Sequence, residues 1–129
     1  MSTILVNTLT GTSTAGSIAV TGEGNSTTTN LQQGLAKAWV HASDAAVQND
    51  TFNVSGSTDG GTGKYSHTIT NPFNNLFYCQ HSTAEASSAD RNATRDADAD
   101  GTSTLATETA EAGSKQDTIH MLSAFGDLA

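Results

Sequence analysis

The feature that most constrains this chain is its shortage of large apolar side chains. Leu, Ile, Val and Phe together supply roughly one residue in six, below the level at which a charged chain begins to look disordered. Two outcomes are open to such a sequence: no fixed structure, or a thin β fold that completes its core by assembling with copies of itself. Thr decides between them. It is a β-branched strand former, and here it alternates with aliphatic residues instead of filling featureless tracts. With 129 residues there is room for one small domain and little for a second core.

Charge removes several function classes. The formal net charge is −8, and the five basic residues, Lys37, Lys64, Arg91, Arg95 and Lys115, are scattered. Nucleic acid and anionic membrane both need clustered Lys or Arg, so neither is an expected partner. No apolar run approaches the ~20 residues of a membrane span, and the N-terminus lacks the basic and apolar regions of a signal peptide. The expectation is a chain made in a cytoplasm. Cys79 is the single cysteine, which rules out an internal disulfide and reads as a small residue packed inside a strand.

Periodicity lays out one β domain over residues 1–129: an N-terminal hairpin (1–29), one short helix (30–42) and a main β region (51–129). Residues 3–10 alternate Ile4, Val6 and Thr8 against Leu5, Asn7 and Leu9, the pattern of a strand apolar on both faces. Ile18 and Val20 mark its partner, closed by Gly22-Glu23-Gly24-Asn25. In 30–42, Leu31, Leu35, Ala38 and Trp39 recur at three- and four-residue steps, as on one helix face. Gly34 in that helix reads as a packing site for a close neighbour. Leu31, Gly34, Leu35, Ala38 and Trp39 are therefore the candidate packing and oligomer residues.

Further on, Phe52 and Val54 begin a strand, and Asp59-Gly60-Gly61 supplies the left-handed positions of a hairpin loop. Tyr65, His67 and Ile69 form the return strand, stopped by Asn71-Pro72. Strands are expected again over 76–81, 102–109 and 119–125, with an acidic, small-residue span after His81 and a loop over 111–117.

The most suggestive chemistry is Asp96-Ala97-Asp98-Ala99-Asp100-Gly101, the first half of a calcium loop. Its twelfth position should be a bidentate Glu and is Thr107, so Asp96, Asp98 and Asp100 form a broken motif that reads better as a solvated acidic loop. His41, His67, His81 and His120 lack zinc spacing. Gly60-Gly61-Thr62-Gly63-Lys64 fails as a phosphate loop, because Thr58 stands where its first Gly belongs and Tyr65 replaces the magnesium-binding hydroxyl. There is no Gly-x-Ser-x-Gly elbow. No catalytic residue, cofactor or confident metal ligand is assigned, and Trp39 reads as core before it reads as a sugar platform.

Four segments carry a resemblance. Thr3-Ile4-Leu5-Val6-Asn7-Thr8-Leu9-Thr10-Gly11, Leu31-Gln32-Gln33-Gly34-Leu35-Ala36-Lys37-Ala38-Trp39, the hairpin from Asp50-Thr51-Phe52-Asn53-Val54-Ser55 to Gly61-Thr62-Gly63-Lys64-Tyr65, and Gly126-Asp127-Leu128-Ala129 together resemble, in that order, short exterior virion proteins of tailed bacteriophages, marine ones in particular. The resemblance implies a fibre-like or decorating exterior component, a trimeric β assembly and no catalytic residues.

The expectation is thus a mostly β chain, an antiparallel β-sandwich or jelly-roll-like domain with one short helix, forming a homotrimer. The expected function is non-enzymatic: head decoration or cement, or a short capsid spike, on the outside of a phage particle beside its major capsid protein. The alternative is a tail-fibre adhesin domain whose loops 55–63 and 84–101 grip a host cell-surface glycan. A polysaccharide-cutting enzyme comes third.

Overall fold

The computed structural model describes residues 3–12, 18–21, 28–31, 34–85 and 90–126. Every regular element among them is a strand, and no helix is long and apolar enough to cross a membrane. The chain divides into two compact units, Met1–Leu35 and Ala36–Ala129.

In the first unit β1 (Ala19–Thr21) and β2 (Thr28–Asn30) pair antiparallel, with Ala19 opposite Asn30. The Leu31 N–H donates to Ile18 O at 2.8 Å and extends that ladder by one bond. The strand expected over residues 3–10 does not form. Its alternation supplies side chains suited to a strand, but a strand also needs a neighbour for its backbone groups, and here β1 takes β2 instead. Ile4, Leu5, Val6 and Leu9 are left 81%, 90%, 60% and 58% exposed. The expected turn at Gly22-Glu23-Gly24-Asn25 lies outside the described residues.

Among its described residues the second unit holds nine strands. They are β3 (Ala38–Ala42), β4 (Gln48–Phe52), β5 (Val54–Asp59), β6 (Lys64–Ile69), β7 (Cys79–Ala84), β8 (Arg91–Arg95), β9 (Thr104–Glu111), β10 (Ser114–Lys115) and β11 (His120–Phe125). One antiparallel sheet runs β4-β3-β11-β7. The other runs β10-β9-β6-β5, with β8 paired to β9 as well. Inner faces of both sheets feed one buried cluster: Ala38, Val40 and Ala42 from β3, Leu122 and Ala124 from β11, Val54, Ile69 and Leu105 from the opposite sheet, and Phe73 and Tyr78 from the connection between β6 and β7. This is a sandwich-like arrangement.

The helix expected over residues 30–42 is absent, and the reason is visible in its second half. Ala38, Val40 and Ala42 are buried while Trp39 and His41 alternate outward, a period of two that the three- and four-residue spacing of Leu35, Ala38, Trp39 and Ala42 had masked. A β-branched Val40 and an interior Gly34 both disfavour helix. The ladder is completed from far away in sequence, with Leu122 opposite Val40 and Thr51 on the other side. Gly34 N–H donates to Asn30 O in a turn, and a Cβ on Gly34 would meet its nearest atoms at ordinary contact distance. Leu31, Gly34 and Leu35 belong to the first unit, Ala38 and Trp39 to the second.

Two local devices position the sheets. Asn53 carries the chain from β4 into β5 with φ of 58°. Its Nδ2 donates to Lys37 O and Asn71 O, and its Oδ1 accepts from the backbone N–H and Nδ2 of Asn71, so a left-handed residue is fixed by its own amide. The hairpin expected over residues 55–63 is present but its loop is shorter, because 55–59 belong to β5: Asp59 Oδ1 accepts from Gly61 N–H at 2.8 Å, and of the loop residues Gly61 and Gly63 take left-handed φ, 106° and 67°. A Cβ on Gly63 would collide with Thr109 O and Gln116 N.

Three further expectations change. The strand expected at 76–81 begins only at Cys79, leaving Leu76 and Phe77 exposed. The Cys79 thiol is exposed, not packed inside, because β7 turns Gln80 and Ser82 inward. The acidic span also contains a strand the sequence did not signal, β8, which pairs with β9.

Candidate functional site

Between the two sheets the core is completed by hydrogen-bonded polar side chains. His67 on β6 and His120 on β11 are 0% exposed, and their Nε2 atoms lie 3.1 Å apart. A carbonyl can only accept, so His120 Nδ1 donates to Thr118 O at 3.0 Å. With both rings neutral, the remaining directions follow. His67 Nε2–H donates to His120 Nε2, His67 Nδ1 accepts from the Ser57 hydroxyl at 2.7 Å, and Ser57 Oγ accepts from Gln48 Nε2 at 3.0 Å. The chain Gln48–Ser57–His67–His120–Thr118 thus passes from the four-stranded sheet to the other and back, with each of its hydroxyl and ring protons donated once.

Electrostatics keep the pair neutral. Burial, then the charge His120 would carry, pushes His67 down to about 3. Burial also lowers His120, against the Thr118 carbonyl that favours its charged form. Tyr65 stacks on His120 at 4.0 Å between ring centres. Its hydroxyl donates to Asp44 O at 3.0 Å and accepts from Thr118 N–H at 3.1 Å, and burial pushes it up to about 12. Thr107 and Thr109, also buried, donate to Thr94 O and Gln116 O. His67, His120, Tyr65, Thr107 and Thr109 are buried and hydrogen-bonded, so they hold the sheets together.

The outward face of the four-stranded sheet differs. Strand register sets Phe52, Trp39, Ser123 and His81 side by side across β4, β3, β11 and β7. The next outward row is Asp50, His41, Met121 and Thr83. Between them lies an open depression of about 320 Å³, bordered by Trp39, His41, His81, Thr83, Met121 and Ser123. Phe52 and Met121 are exposed at its edge. Among the described residues, no hydrogen bond engages the side chains of Trp39, His41, His81, Thr83 or Ser123. Trp39 is therefore a groove residue and not a core one; its neighbours Ala38 and Val40 fill the core instead.

The aspartates of the broken calcium motif do separate work. Asp96 Oδ1 accepts from Asp98 N–H at 3.2 Å and lies near Lys64. Asp100 pairs with Arg95 and accepts from Ala106 N–H at 2.5 Å. Arg95 in turn lies 4.7 Å over the Tyr78 ring. Among the described residues no three His, Cys, Asp or Glu side chains converge as metal ligands. His67 and His120, far apart in sequence, are brought together by the sheets; the alternation Tyr65-His67-Ile69 gave the inward direction of one, and nothing local gave their pairing. The groove was hidden because reading 30–42 as a helix turned Trp39 inward.

Comparison with protein-family models, with curated proteins and with solved structures finds no match.

Proposed function

We propose that this chain is a non-enzymatic structural protein of a phage particle's exterior, a head decoration, cement or short spike protein that works as a homotrimer. One observation carries this reading. The first unit leaves Ile4, Leu5, Val6 and Leu9 58% to 90% exposed in a segment that joins no strand, and its one ladder has only two strands. A two-stranded ladder is marginal in water without further cover. An exposed apolar segment is covered when it adds to another sheet or lies against another chain. Full burial of each such side chain contributes roughly 1.5–3 kcal/mol, and three copies multiply the gain.

The second unit supports the reading differently from what composition suggested. Its core closes with hydrogen-bonded His and Thr, so scarcity of aliphatic residues is met within the unit. The need for a neighbour falls on the N-terminal segment. A net charge of −8 keeps many copies on one surface soluble. The alternative, a tail-fibre adhesin domain, is favoured by the tryptophan groove. Location and copy number in the density of an intact particle decide between them. Hundreds of copies over the capsid fit decoration, a handful at the tail fit the adhesin, and a particle without the chain refutes both.

A further inference from the structure

We infer that the outward face of the β4-β3-β11-β7 sheet is a binding site for a neutral glycan, with one pyranose ring seated on Trp39. The inference deepens the adhesin reading by assigning its contact surface to this face instead of the loops. The lining is the first argument. An indole half-buried on a sheet face offers an apolar platform for the C–H face of a sugar ring. Around it, at one cross-strand spacing, stand Ser123 and then His81, with His41 and Thr83 in the adjoining row. These side chains and the indole N–H make no hydrogen bond within the described protein, so both donors and acceptors are free to meet hydroxyls.

Size and charge narrow the ligand. A depression of about 320 Å³ is at the small end of ligand sites, a size suited to one or two sugar rings. In one row the apolar pair Phe52 and Trp39 gives way to Ser123 and His81, and in the other Met121 stands between His41 and Thr83, so an apolar platform adjoins polar groups as the C–H face of a pyranose adjoins its hydroxyl rim. No Lys or Arg borders the depression, Asp50 stands in its outer row, and the whole chain is acidic. Sulfated, phosphorylated or sialylated glycans would be repelled.

Trp39 is the single tryptophan, so its emission reports on this face alone. The test is an array of neutral oligosaccharides probed with the full chain beside heparin, followed by fluorescence titration of each glycan retained. The expected result is at least one neutral glycan that shifts Trp39 emission, no binding of heparin, and at least a tenfold loss of array binding in Trp39→Ala. His81→Ala, at an exposed position, should weaken binding severalfold and keeps the test valid if Trp39→Ala does not fold. An array with no neutral glycan retained overturns the assignment. So does binding that survives both substitutions, binding of heparin alone, or Trp39 emission that changes with chain concentration only, which would place a second copy on the face. Such failure leaves the virion-exterior reading standing, because particle location tests that separately.

Discussion

Acidification should unfold the second unit through its histidine pair, and the size of the effect follows from the burial of His67. An unfolded histidine titrates near 6.5, while His67 in the folded chain is held down to about 3. Below pH 6.5 the unfolded chain binds a proton that the folded chain refuses. The contribution to stability is therefore complete above that pH and drains away as pH falls toward 3. At 1.36 kcal/mol per pH unit, moving from pH 6.5 to 4.5 costs about 2.7 kcal/mol through His67 alone. His120 is lowered too and acts in the same direction. For a unit of this size each kcal/mol moves Tm by about 4–8 °C, so a fall of roughly 10–20 °C is expected from His67. Calorimetry of the wild type and His67→Gln across this range isolates the effect. The variant starts lower because it breaks the Ser57–His67–His120 chain, but its Tm should fall less steeply with pH. Equal slopes, or His67 ring resonances that titrate near 6.5 in the folded protein, would refute the reasoning.

Other perturbations test the fold at separate points. Gly63→Ala places a side chain at φ of 67° against Thr109 O and should cost roughly 2–3 kcal/mol by denaturant unfolding. Tyr65→Phe strips Thr118 N–H and Asp44 O of their partner, an expected loss of about 1–3 kcal/mol in the same assay. Asp100→Asn removes the charge that pairs with Arg95 beside Tyr78 and should lower stability by about 1–3 kcal/mol. Trp39→Ala should cost only about 1 kcal/mol instead of the 3–5 kcal/mol of a core tryptophan; a core-sized loss would return Trp39 to the interior.

Much of the second unit was legible in its sequence because alternation and turn chemistry agree there. Tyr65, His67 and Ile69 alternate inward, Asp59-Gly60-Gly61 turns the chain between β5 and β6, and His120, Leu122 and Ala124 oppose Met121, Ser123 and Phe125 as the pattern indicated. What failed was short-range reading where distant partners decide. Ala38–Ala42 satisfies both a helical and a strand spacing, and only β11 and β4 select the strand. Residues 3–10 have the reverse history, a strand pattern with no strand to join. The histidine pair and the groove were illegible because each is assembled across strands from residues distant in sequence.

Sedimentation reads whether copies of this chain join through the apolar N-terminal segment. The full chain should sediment as a trimer at micromolar concentration, and a variant lacking residues 1–11 as a folded monomer. A full chain that stays a stable monomer, or a truncated one that still forms trimers, would rule out assembly through this segment.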